Sequence, residues 1–338
     1  QVRSLTSSQV ASLSDTQLQA MTTVQASVLT DKQLNALSTS QMASLESADV
    51  AALSATTVSG LSTTQVKALS SSQVTALGAN QVRALSANQL NALDSADLAA
   101  MGTAQIVKLS PEQVGGLSTT QLQALTDNQV SALEGRQVKG LTTTQMGKLT
   151  TSQVQALTAD QYKQLGAAQL NAMTSTQVAA IQTADIAAIS ASAAGGLSSQ
   201  FVAALTSTQV QALDKTQLGG MTSKQIQAIE TADLAAMTTA QIGLLRADQV
   251  GQLTTSQLNN LTSTQLQLLE ALDNGGSIPA AVLADAETHK DWLLLQQTLA
   301  PVHLLSAVLI GLVVPRLIAS FLPVAPALRA RPALRLFA

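Results

Sequence analysis

The chain has 338 residues, a formal net charge of −3 and no cysteine, with only 1% aromatic and 11% charged residues. Disulfides and thiolate metal sites are therefore excluded, and the scattered Lys and Arg supply no basic face to neutralise phosphates, so nucleic-acid binding is not expected. The dominance of Ala, Leu, Ser, Thr, Gln and Val marks a repeat rather than a mixed globular core.

The chain opens "QVRSL", with neither Met nor signal peptide, and from Leu5 onward a Leu, Met or Ile recurs at every eighth residue as far as Leu269. The consensus is Leu-[Ser/Thr]-x-x-Gln-[Val/Leu/Ile]-x-Ala, of which "LSTTQVKA" at 61–68 is a clean copy. Gln1 and Val2 fit an octad begun earlier, so the array is expected to continue upstream. Eight residues of continuous helix advance roughly 800°, leaving a drift of about 80° per repeat that would spread the apolar positions around the cylinder. Strand alternation fails as well, because the large apolar residues stand five and three apart, not two.

The chain must therefore turn in every octad, and the octad carries the means. Ser or Thr followed three residues later by Gln, as in Ser62 with Gln65, Thr150 with Gln153 and Thr206 with Gln209, is a capping box. Each octad is thus read as a cap, a short helix and the next cap. Helices this short do not stand alone, so stability must come from stacking along a quasi-one-dimensional array. The small eighth residue, as in Ala76, Ala84, Ala92 and Gly140, is expected to let successive helices approach closely. The expected fold class is an all-α solenoid with the Leu and Val positions buried and the third, fourth and seventh exposed; the alternative is a β-solenoid.

A slower rhythm rides on the octad. Asp replaces Gln at Asp49, Asp97, Asp185 and Asp233, with spacings of 48, 88 and 48 residues, and the acidic octad at Glu134 divides the 88 into 40 and 48. The spacing predicts a superhelical turn of between five and six octads, with the four carboxylates near one edge. They are weak candidates for a Ca²⁺ ladder, since one carboxylate per turn falls far short of six to eight oxygen ligands; the plainer reading is a helix-start residue copied when a block of octads was duplicated.

The stretch "LSPEQVGGL" at 109–117 resembles the opening of a repeat in the transcription-activator-like effectors, which would imply DNA reading. The similarity covers nine residues, and Leu117 begins the next octad where those repeats need a base-reading loop, so it reflects a shared helix start, with Pro111 in the first turn. A wider resemblance spans residues 1–272: the octads are similar to low-complexity arrays in large proteobacterial exoproteins loosely labelled haem-utilisation or adhesion proteins. That resemblance implies a secreted or surface location, but the array holds no His or Cys to ligate haem. Its single Tyr, Tyr162, stands in a Val position, and Met21, Met42, Met101, Met146, Met173, Met221 and Met237 occupy core positions.

After residue 272 the pattern degrades. Residues 273–278, with Gly275 and Gly276, read as a linker, and 279–301, opening at Pro279 and carrying His289 and Trp292, as a capping helix. Residues 302–338, which include His303, hold an apolar run at 304–324 followed by Arg329, Arg331 and Arg335, the pattern of a membrane anchor. Pro315 and Arg316 in the middle of that run oppose it, so a packed hairpin and a non-native tail stay open.

No catalytic constellation and no cofactor ligand set emerges, and the chain is not expected to be an enzyme. Three functions remain: a structural or adhesive surface rod, a scaffold binding a peptide or protein partner along its groove, and a binder of an ice, mineral or glycan lattice. A lattice binder wants near-invariant Thr on one face, whereas the third, fourth and seventh positions wander through Ser, Thr, Ala, Lys, Asp and Asn. The wandering favours the rod.

Overall fold

The computed structural model describes residues 1–272. The linker, capping-helix and membrane-anchor expectations for 273–338 lie outside the described residues. After a 3₁₀ turn at Val2–Ser4, each octad contributes one α-helix, from α1 (Ser7–Ala11) to α33 (Ser263–Leu272), and no strand occurs among the described residues. The solenoid is all-α, and the β alternative falls.

The local cause is visible in one octad. Ser118 has extended backbone (φ −62°, ψ 154°), its hydroxyl accepts from the Gln121 N–H, and helix α15 (Thr119–Ala124) runs until Leu125 turns extended again (φ −60°, ψ 134°). Two extended residues per octad reset the direction before the next helix. Pro111 sits in the first turn of α14 (Pro111–Gly115), and Leu117 follows without any intervening loop.

Helices pack mainly on helices three octads away: α7 (Ala55–Ser59) on α10 (Ala79–Ala84), and α14 on α17 (Gly135–Lys139). One coil thus takes between three and four octads, not five to six as the acidic rhythm suggested. That rhythm does not mark the turn. The core is a double column of the first and sixth residues, with Val66, Val74, Val82 and Leu90 at 0% exposure and Leu69, Leu77 and Leu85 at 3–4%.

Burying both columns around a tight coil brings the eighth residue against the third residue of the octad three back, 29 positions earlier. A Cβ on Gly140 would stand 2.7 Å from the Pro111 carbonyl oxygen, and one on Gly116 would stand 2.8 Å from Ala87 Cβ. The small eighth residue is therefore required by the neighbouring coil, not by the next helix in sequence. The same contact half-buries several third positions, among them Ala55, Ala87 and Pro111, that the octad pattern alone placed in solvent.

Candidate functional site

The polar feature that organises the solenoid is the fifth residue. It is Gln in 26 of the 33 octads from Leu5 to Leu261, and wherever a coil precedes it the Gln is buried or half-buried. In most octads its Oε1 accepts the N–H of its own helix cap, as Gln137 does from Glu134 at 2.7 Å. Its Nε2 reaches the previous coil. In all 23 octads from Gln33 onward that carry Gln, Nε2 donates to the carbonyl of the apolar first-position residue 28 positions earlier, at 2.5–2.9 Å. Many also donate to the carbonyl 31 positions earlier, as Gln137 does to Ile106 at 2.8 Å.

One amide thus closes a helix cap and stitches two coils, using both donors and the acceptor. The first-position carbonyls it serves belong to the extended junction between octads and have no helical partner of their own, whereas those 31 positions earlier, such as Ile106, also accept the N–H three residues on. Gln9, Gln17 and Gln25, in the first coil, have no residue 28 positions earlier to meet and are exposed. The capping box foreshadowed half of this role. The other half escaped sequence reasoning, although the near-invariance of Gln, where Glu would cap as well, was the available signal.

A second seam forms where the seventh residue is Asn and the eighth residue of the facing octad is Gly. Asn35 Nδ2 donates to the Gly60 carbonyl at 2.8 Å, and its Oδ1 accepts the Ser62 N–H at 2.8 Å. Asn91 and Asn171 repeat this with Gly116 and Ser118, and with Gly196 and Ser198. At Ser62 the arrangement takes the N–H that Gln65 would have accepted, and Gln65 Oε1 is left buried without a partner. The box expected for Ser62 and Gln65 is consequently half made, whereas those of Thr150 with Gln153 and Thr206 with Gln209 are complete.

Seven fifth positions interrupt the ladder, and four of them are the acidic candidates. Asp49, Asp97, Asp185 and Asp233 are all buried, at 2–7% exposure. The structure does not bring them together: no group of three or more His, Cys, Asp or Glu side chains converges among the described residues. Asp97 Oδ1 accepts from the Ser71 hydroxyl and Asp233 Oδ1 from the Ser207 hydroxyl, each at 2.5 Å and each 26 residues back. Asp185 has Ala159 at that position, and burial raises its pKa to about 6. Asp49 Oδ2 is buried without a partner, and its pKa is raised by burial and then by the nearby Glu46. Thr57 keeps one donor in the ladder, its hydroxyl reaching the Leu29 carbonyl at 3.2 Å. Ala193 and Phe201 bury apolar groups in its place.

Tyr162 is more than a Val substitute. Its hydroxyl donates to the Val154 carbonyl at 3.0 Å, the carbonyl 31 residues before Asp185, which a Gln at 185 would have served.

The concavities of the surface are of a different kind. One of about 570 Å³ is lined by Thr222, Ser223, Lys224, Asp248 and their neighbours. Asp248 there is held below the usual carboxylate range by the Arg246 guanidinium and then by the Ser223 hydroxyl, an ion pair at 2.9 Å whose partners are both largely exposed.

A coil of capped octads sewn together by buried amides defines an all-α octad-repeat solenoid. The chain belongs to the ALTTAQ repeat family, whose model matches residues 42–79, 91–127, 130–166, 178–215 and 226–263, more than half of its length. Each matched segment opens four to seven residues ahead of an acidic residue, Asp49, Asp97, Glu134, Asp185 or Asp233. The slower rhythm therefore runs with the starts of the matched segments and not with the coil. In a comparison with curated proteins, none matches the chain. No described helix is long and apolar enough to cross a membrane.

Proposed function

We propose that the chain is a non-enzymatic structural or adhesive rod, displayed on a bacterial surface or secreted, that acts through its length and repeated outer face. The observation that carries this reading is the inward use of chemistry. The recurrent polar side chains, Gln, the capping hydroxyls and the seventh-position Asn, are spent on the solenoid's own backbone, and the outward fourth and seventh positions vary from octad to octad. A catalytic centre needs a nucleophile, a base and an orienting group held together, and a repeated fold multiplies one interaction instead. The surface location rests on the similarity to exoprotein arrays.

The test is a length series displayed on cells. Whole-octad blocks are removed from different places, and adhesion or reach is measured against the remaining length. A graded decline that is the same for every block supports the rod. Total loss from one block and none from another identifies a dedicated binding site and defeats it.

A further inference from the structure

The Gln ladder gives a physical meaning to the buried carboxylates that interrupt it. At each such position the carbonyls of the preceding coil that a Gln would serve meet a side chain that has no N–H; at Asp185 the Val154 carbonyl is taken by the Tyr162 hydroxyl, which leaves that of Leu157 unserved. When ionised, a carboxylate only accepts hydrogen bonds, so it sets acceptor against acceptor in a place shielded from water. Asp97 and Asp233 escape through their serine donors, Ser71 and Ser207. Asp49 and Asp185 do not: Asp49 Oδ2 has no partner, and opposite Asp185 the serine is replaced by Ala159.

We propose that Asp185 and Asp49 are proton-operated seams in the rod, closed when the carboxyl is protonated and can donate toward the coil three octads back, and loosened when it is ionised. Few other charges bear on either. Asp185 lies in α23 (Thr183–Ala188), packed on α20 (Ala159–Tyr162) and α26 (Ser207–Gln211). Tyr162 is the titratable group of α20 that faces it, Asp160 on the same helix is exposed, and α26 carries no charge. Asp49 lies in α6 (Ser47–Ala52), packed on α3 (Thr23–Ala26) and α9 (Ser71–Ala76), neither of which carries a charge; only Glu46 of its own octad bears on it.

The direction of the effect follows from linkage. Asp185 titrates at about 6 in the folded chain against 3.8 in the unfolded one, so between those values the folded state binds the proton more tightly. The stabilisation is full below 3.8, falls as pH rises, and is gone above about 6. Acidification therefore tightens this seam, opposite to the usual behaviour of paired carboxylates. Asp49 shifts the same way.

Hydrogen exchange on the whole chain, corrected for intrinsic rates, tests this. Protection of amides in α20 and α23 should rise on the order of tenfold between pH 7.5 and 4.5. In D185N it should be pH-independent and high, because the amide can donate at any pH. An equal rise in D185N, or none in the wild type, overturns the proposal. Titration of the Asp185 carboxyl ¹³C signal in the wild-type chain gives a second reading that needs no variant: a midpoint near 4 refutes it. Adding Ca²⁺ at pH 7.5 separates proton from metal, since protection restored by Ca²⁺ and lost in D185N would overturn the proton in favour of a cation.

Discussion

The hydroxyl of Tyr162 donates to the carbonyl of Val154 at 3.0 Å, and so occupies the place that a glutamine at residue 185 would take in the ladder. Tyr162 is fully buried, and its own ionisation is pushed far up by burial and then by Asp185, so the phenol is a permanent donor. Two departures from the consensus, Tyr for Val at 162 and Asp for Gln at 185, thus form one compensated pair.

That pairing predicts strong non-additivity. Tyr162→Phe should cost about 1 kcal/mol for the lost hydrogen bond. Asp185→Gln alone should gain about 1 kcal/mol at neutral pH, through the Leu157 carbonyl only, because the Tyr162 hydroxyl already occupies the Val154 carbonyl. The double change Tyr162→Phe with Asp185→Gln returns the donor for the Val154 carbonyl to residue 185 and should be at least as stable as the wild type. Denaturant melts of the four proteins close the cycle. Additive effects would show that the two positions are independent.

The ladder itself is tested at Gln137, which is 0% exposed and donates at 2.8 Å to both Ile106 and Leu109 while accepting from Glu134. Gln137→Ala abandons all three bonds and should cost on the order of 3 kcal/mol. Gln137→Glu keeps the cap acceptor but removes both donors, and should be at least as harmful near neutral pH while recovering in acid. Chemical denaturation at pH 7.5 and 5 distinguishes them. A Gln137→Glu protein as stable as wild type at pH 7.5 would show that capping, not coil stitching, is what the glutamine supplies.

Close approach of coils is tested by glycines. Gly140→Ala would drive a Cβ to within 2.7 Å of the Pro111 carbonyl oxygen and should destabilise by about 1–3 kcal/mol. Gly219, inside α27 (Lys215–Gly220), has nothing within 4 Å of such a Cβ, so Gly219→Ala should be neutral or stabilising by up to about 1 kcal/mol. Likewise Ala84→Leu should lower the melting temperature and Arg83→Leu should not, because Ala84 is half-buried and Arg83 exposed.

The octad, its caps and both apolar columns were legible in the sequence because they rest on local physics: hydrophobic spacing, the Ser/Thr–Gln pair, and Pro111 in a first turn. The coil pitch was not. It depends on contacts 25 to 31 residues apart, such as Asn35 with Gly60 and Gln137 with Ile106, which no local pattern encodes, and the slower rhythm of Asp49, Asp97, Asp185 and Asp233 was mistaken for it. Those carboxylates were recognisable as exceptions but were read as copied helix-start residues, with an ion ladder as a weak candidate. Their meaning came from what Gln does at the same position, which required seeing the Nε2 atom reach the previous coil.

The same register makes a prediction about deletions. A Gln at the fifth position meets the first-position residue 28 positions earlier, and removing any whole number of octads leaves that relation intact, because every octad offers the same carbonyl. Deleting 61–108, six octads, brings Leu109 directly after Gly60, and Gln113 then finds Leu37 where Leu85 stood. The shortened chain should keep its helical content, measured by circular dichroism, and lose only length. Deleting 61–64, half an octad, instead sets fifth positions against the wrong residues of the facing coil and buries unpaired amides next to the columns of Leu and Val. That chain should lose cooperative unfolding and become protease-sensitive around the cut. Equal tolerance of the two deletions would mean that the coils are not held in register by the Gln ladder.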